Sequence, residues 1–184
     1  MSVSTTSVAP FTGTYTADRD HSSFGFAVRH MGVSTFRGSF SNVSATVAAG
    51  EDGTLTLKGV VQAGSISIVS PPELRAHVLG TDFLDADHHP AIAFESDPAR
   101  LGHDGTITVE GRLTIRNVTR SVVATGTYAT PVEDPYGNTR AAIELSATVD
   151  RRDYGMTWNM PLPNGGDALA TQVTLTVQLE LIGD

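Results

Sequence analysis

The stretch His21–Phe40, HSSFGFAVRHMGVSTFRGSF, decides how this chain is read. Phe24, Phe26 and Val28 fall on alternate positions and lead to His30. A glycine-containing step at Met31–Ser34 follows, and Phe36 and Phe40 then flank Gly38 in a second alternating run. Alternation with period two marks a strand with one apolar face, because successive side chains leave opposite sides of a sheet. Aromatics crowded onto one face fill a core or line a tunnel. Which of the two it is decides what the protein does.

Outward from this stretch the chain stays strand-like, rich in the Thr and Val that fit a pleated surface. Alternating or β-branched runs lie near 14–19, 22–31, 35–49, 54–68, 91–101, 105–116, 119–130, 140–149 and 169–182. Turn chemistry separates them at Asp52-Gly53, Asp104-Gly105, Pro135-Tyr136-Gly137-Asn138 and Asn164-Gly165-Gly166. Several runs are longer than the usual strand of about five or six residues, which favours a meander curling into a barrel over a compact sandwich. The reading is all-β: an extended antiparallel barrel of about eight strands, the first short run being an edge or a continuation. A short helical insert is expected around residues 71–87. Ser70 would cap it with Glu73 three residues on, Leu74, Val78 and Leu79 form its apolar stripe, and Gly80 ends it. Asp82–Asp87 would add a further helical turn.

With 184 residues the chain suits one domain, read as 13–184, behind a Ser/Thr-rich N-terminal arm at 1–12. A net charge of −8 disfavours nucleic acid and anionic membrane surfaces, which need clustered Lys and Arg. Without cysteine there are no disulfides, thiolate nucleophiles or Cys-ligated metals. No apolar run is long enough for a transmembrane helix. The N-terminus lacks the basic and apolar regions of a secretory leader, so a cytoplasmic location is expected.

No Gly-x-Ser-x-Gly elbow, P-loop or Gly-x-Gly-x-x-Gly is present, and no catalytic residue is assigned. Asp82, Asp85, Asp87, His88 and His89 are the densest group of acids and imidazoles; their spacing reads as a solvated turn, and no metal site is assigned. The candidate site is therefore the apolar face itself: Phe24, Phe26, Val28, Phe36, Phe40, Leu57, Ile92, Phe94, Leu113, Ile115, Ile143, Leu145, Leu175 and Val177. Gly38, Gly59, Ala63, Gly111, Ala141 and Ala147 share that parity and would leave room beside it. His30 ends the face; it either meets a ligand head group at the rim or is simply exposed at a strand end. Trp158, the only tryptophan, is either a lid over one barrel end or a loop anchor. On these residues alone, filled core and tunnel both stay open.

Four segments resemble the YceI-like, polyisoprenoid-binding proteins. From Tyr15, YTADRDHSSFGFAVRHMGVSTFRGSF is similar to the family's His-Ser, His-Met-Gly and Arg-Gly-x-Phe pattern. DFLDADHHPAIAF (Asp82–Phe94) and GTITVEGRLTIRNVTRSV (Gly105–Val122) resemble its helix exit and paired strands. RRDYGMTWN (Arg151–Asn159) resembles its Arg-x-Asp-Phe-Gly segment, with Tyr154 in place of Phe. The alternating run Val173–Leu181 fits its closing strand. The resemblance implies a lipocalin-like barrel holding an isoprenoid, such as a polyprenyl or quinone tail, or a similar fatty-acid-like chain, with no cofactor beyond that ligand. It implies no catalytic residues. Each buried isoprene unit would contribute roughly 3–4 kcal/mol gross at about 0.8 kcal/mol per methylene. A tunnel therefore needs no strong polar contact to hold its ligand, and rim groups would choose the head group. The alternatives are an enzyme acting on an isoprenoid-like substrate, with His30 or a pocket tyrosine as the acid–base group, and a filled structural barrel. The latter includes a homodimer pairing through exposed strand faces.

Overall fold

The computed structural model describes residues 11–184; of the expected N-terminal arm, residues 1–10 lie outside it. Phe11, near the end of that arm, is buried against Tyr15 and Tyr128. The strands are β1 (Gly13–Ala17), β2 (Ser23–His30), β3 (Ser34–Phe40), β4 (Val43–Ala49), β5 (Thr54–Gln62), β6 (Ala91–Ser96), β7 (Ala99–Arg100), β8 (Thr106–Ile115), β9 (Val118–Glu133), β10 (Thr139–Asp150) and β11 (Leu169–Gly183). One helix, α1 (Pro72–Leu79), interrupts them between β5 and β6.

Eight strands close the barrel in the order β1-β4-β5-β6-β8-β9-β10-β11, and β11 returns to β1. Every pairing is antiparallel. The long β11 carries two partners along one edge: its C-terminal end pairs β1, and the rest pairs β2 from Gln178↔Ser23 to Leu169↔His30. The β2–β3 hairpin thus extends the wall at one end of the barrel. That extension is tied back by a Phe40↔Ile66 bridge and by the Ser67 amide donating to the Ser39 carbonyl at 2.7 Å. The expected extended eight-stranded barrel is the fold observed.

Alternation explains why these segments are strands. In β4, Val43, Ala45, Val47 and Ala49 are buried while Ser44, Thr46 and Ala48 face out. The run expected at 35–49 is two strands, however. Phe36 and Phe40 face the interior on even positions and Val43 and Val47 on odd ones, so the parity slips by one at Ser41-Asn42. Ser65 holds the break open: its carbonyl accepts from the Ser41 amide and its hydroxyl from the Asn42 amide at 3.0 Å.

The insert also departs from expectation. Pro71 has extended φ/ψ and occupies the N-cap position, so the helix starts one residue late and Ser70 supplies no cap. Asp82–Asp87 forms turns rather than helix, because Asp85 has a φ of 46° and reverses the chain.

The two barrel ends are packed differently. One end is solid: Phe11, Tyr15, Val47, Leu55, Val109, Ile143 and Leu181 form a single buried cluster. Just outside it, Arg140 donates to Asp134 and Asp18 at 2.8 Å each and to Glu180. The guanidinium holds the Asp18 and Asp134 carboxyls well below the usual range. Because the folded-state values are depressed, this stabilisation is complete above about pH 4, where unfolded carboxyls are ionised, and is lost as pH falls through the folded values. Arg140→Ala is expected to unfold at a higher pH than the parent in an acid titration followed by circular dichroism, and to lose stability at neutral pH too.

Candidate functional site

At the opposite end, the residues of the opening stretch form one wall of an interior cavity of about 430 Å³. Register places them there. Phe24 lies opposite Phe40, Phe26 opposite Gly38 and Val28 opposite Phe36, so all the large side chains leave the same face. Their rings pack as a row, with centroids 5.8 Å apart for Phe24–Phe40, 5.9 Å for Phe26–Phe40 and 6.0 Å for Phe26–Phe36. The Phe26 ring lies over Gly38, where a Cβ would come within 2.5 Å of it. Val173 and Leu175 on β11, Ile92 on β6 and Ile115 on β8 complete the walls.

A roof comes from the insert. Leu74, His77 and Val78 of α1 and Phe83 and Leu84 of the following turn line the cavity from one side, and Trp158 from the other. His77 meets Trp158 edge-on at 4.7 Å and Phe83 at 5.1 Å, and Phe83 and Trp158 are 5.5 Å apart. Arg75 fastens the helix to the barrel by donating to the carbonyls of Gly64, Ile66 and Ile68 at 2.7–3.0 Å. An eight-residue helix is marginal alone, so these bonds and its apolar stripe hold it.

Deeper in the barrel is a smaller cavity of about 80 Å³, lined by Leu57, Phe94, Leu113, Leu145 and Val177 among others. Small residues make its space: Ala45, Gly59, Ala93, Ala124 and Ala147. Phe24, Ile92 and Leu175 border both cavities and so stand between them.

The apolar-face candidates thus divide. Phe24, Phe26, Val28, His30, Phe36, Phe40, Ile92, Ile115, Trp158 and Leu175 line the large cavity. Leu57, Phe94, Leu113, Leu145 and Val177 line the small one. Ile143 lines neither: it is fully buried at the solid end, opposite Tyr128 and Leu179. Gly38 and Gly111 do not leave open space either, since the rings of Phe26 and Phe94 occupy it. Composition and periodicity passed over the insert's lining side chains, whose stripe was visible, together with Val149, Met156, Ala168, Leu169, Val173 and Arg151.

Arg151 follows β10 in a short 3-10 turn and is 3% exposed, yet it lines the large cavity. Its guanidinium donates from Nε to the Ala170 carbonyl at 2.9 Å and from Nη1 to that of Met156 at 2.5 Å. Nη2 reaches the Leu169 carbonyl at 3.4 Å. Among the described residues it has no carboxylate partner, because neighbouring Asp150 is bound by Arg152 at 2.6 Å. Burial pulls the Arg151 guanidinium down from its ordinary value. Among the described residues, His30, His77 and Arg151 are the only polar ones in the lining.

Tyr154 in the same turn is 1% exposed, and its hydroxyl has no hydrogen-bond partner among the described residues. Burial pushes the phenol up to about 12. A buried hydroxyl without a partner costs on the order of 1–3 kcal/mol in desolvation. Tyr154→Phe is therefore expected to stabilise the protein by about 1 kcal/mol, read as a raised midpoint in denaturant unfolding.

Among the described residues, the His89 Nδ1 is likewise buried without a hydrogen-bond partner. Asp85 accepts from His88 at 2.8 Å and lies 3.6 Å from His89. Asp18, His21 and Glu180 bring potential ligand atoms together, but Arg140 already bridges the two carboxylates.

Fold and site together define a closed antiparallel barrel that encloses an apolar cavity under an aromatic roof. The chain belongs to the YceI-like family, whose domain model matches residues 15–181. A UPF0312 protein of Pseudomonas fluorescens is 30% identical over 165 residues, spanning 83% of this chain and 82% of the relative. Another from Ectopseudomonas mendocina is 27% identical over 138 residues, covering 74% of this chain and 72% of its own. Among solved structures, Burkholderia cenocepacia BcnA superposes with a TM-score of 0.73 at 17% identity, covering 91% of this chain and 99% of its own. A polyisoprenoid binding domain from Saccharophagus degradans, implicated in plant cell wall breakdown, superposes with a TM-score of 0.67 at 12% identity, covering 92% and 98%. At these identities the structural likeness speaks for the fold. No helix among the described residues is long and apolar enough to cross a membrane.

Proposed function

We propose that the protein binds a long-chain apolar or amphiphilic molecule of the polyisoprenoid type in the barrel interior, and sequesters or carries it without chemical change. The observation that carries this reading is the cavity: about 430 Å³, lined by 21 of the described residues, 18 of them apolar, beneath an aromatic roof. That volume lies within the range of natural small-molecule sites, roughly 300–1,000 Å³. A barrel built only for its own stability has no use for such a void, since unfilled space costs about 24 cal/mol per Å³ in packing. The Saccharophagus degradans neighbour's polyisoprenoid binding is consistent with the reading. A lining with so little hydrogen-bonding capacity selects for chain shape and length, and binding energy comes from methylene burial.

Trp158 is the only tryptophan in the chain and lines the cavity, so it reports occupancy directly. Titrating delipidated protein with geranylgeraniol is expected to shift and saturate its emission with one ligand per chain. Unchanged emission, together with no ligand retained on gel filtration, would contradict the reading.

A further inference from the structure

Resting on the proposed function, the geometry points to Arg151 as the seat of an anionic ligand end: the cavity takes a long apolar chain terminated by an oxyacid, a carboxylate or a phosphate, rather than a neutral lipid. A guanidinium 3% exposed in an apolar wall is expected to be paired, because a buried charge without a counter-charge is costly. Among the described residues no carboxylate is in ion-pair contact with it, and Asp150 and Asp167 act on it only at longer range. Three backbone carbonyls accept from it, and one of those bonds is long at 3.4 Å. Guanidinium has five N–H groups, so two remain without a protein acceptor, one on each terminal nitrogen. Those two nitrogens present the planar fork that matches the two oxygens of a carboxylate or phosphate.

The position along the barrel agrees. Arg151 reaches the Leu169 carbonyl, and Leu169 pairs with His30 at that end of the cavity, whereas Phe24, Ile92 and Leu175 lead away toward the smaller space, where Ser146 is the one polar residue among those described in the lining. A ligand with its charged end on Arg151 lies beneath the Trp158–His77–Phe83 roof with its tail running inward. His30 lines the same cavity, whereas the His77 Nε2 is already engaged by the Asp82 carboxylate at 3.1 Å. The carbonyl bonds hold the fork in place before any ligand arrives, so little ordering is needed on binding.

The test compares matched pairs that differ only at the chain end: geranylgeranyl phosphate against geranylgeraniol, and oleate against oleyl alcohol. Each is titrated at neutral pH against the delipidated full chain and against Arg151→Gln, which keeps an amide donor for the carbonyls but removes the charge. The parent is expected to bind at least one anionic member about tenfold or more tighter than its alcohol, as suits a charge-assisted bond. The pair that discriminates tells phosphate from carboxylate. In Arg151→Gln that preference collapses, the acid losing at least about tenfold more affinity than its alcohol. Equal affinity for both members of each pair in the parent overturns the inference and leaves the binding function standing; this arm needs no variant to fold. Equal loss of acid and alcohol in a folded Arg151→Gln also overturns it, by assigning Arg151 a purely structural role. Binding of none of the four by the parent contradicts the binding function itself.

Discussion

Leu175→Trp is expected to cut the affinity for a long polyprenyl chain by roughly a hundredfold or more while the barrel stays folded. Leu175 is one of three side chains that border both cavities, and it projects from β11 opposite Phe26 and Ala147. An indole there closes the passage toward Leu57, Leu145 and Val177 and shortens the buried chain by at least one isoprene unit. That loss is about 3–4 kcal/mol of apolar burial, which corresponds to a factor on the order of 10²–10³ in affinity. In a filled core the same enlargement would strain the packing by about 1–3 kcal/mol. Here the adjoining void accepts the extra atoms, so thermal unfolding should shift little. A two-unit chain, which does not need the passage, should be affected much less. Unaltered affinity for the long chain would show that the two cavities do not form one path.

Gly126→Ala is expected to remove a large part of the stability of the fold. Gly126 sits in β9 opposite Leu145, just beyond the irregularity at Arg140–Ala142 in the β9–β10 pairing. An added Cβ would overlap the Glu144 carbonyl oxygen and lie 2.8 Å from the Glu144 carbonyl carbon and 3.0 Å from the Leu145 Cα. All three are backbone atoms of the paired strand, so relief requires β9 and β10 to part. The cost should be about 3 kcal/mol or more, at the upper end for overpacking. Gly38→Ala makes the useful contrast. Its close neighbour is the far end of the Phe26 ring, which can swing into the cavity, so it should cost less stability and more ligand affinity. Denaturant midpoints of the two variants, measured together, check the ordering.

How much of this was legible in the sequence depends on whether the deciding signal was local. Phe24, Phe26, Val28, Phe36 and Phe40 were readable as one face because alternation is set by the backbone of a single strand. The break at Ser41-Asn42 was readable in principle too, since Phe40 and Val43 cannot both face inward on one unbroken strand. What alternation could not separate was cavity from solid core. Ile143 and Leu145 share a strand and a parity, yet one is sealed beneath the Phe11–Tyr15–Tyr128 end and the other borders open space. That difference is made by contacts distant in sequence. The roof was half visible: the stripe of Leu74 and Val78 marked an apolar helix face, but nothing local said that it covers the barrel mouth. Arg151 was hidden for the opposite reason. A charged residue at a strand end reads as solvated, and only the return of β11 brings up the carbonyls of Leu169 and Ala170 that enclose it.

The most direct test of a lipid-carrying interior is to purify the protein from its own host under mild conditions and weigh it by native mass spectrometry. The denatured extract of the same sample should then be analysed for apolar compounds. The account predicts one adduct per chain, released on denaturation as an intact long-chain lipid and absent from Leu175→Trp. An adduct-free protein that also fails to take up such lipids when they are added would contradict it.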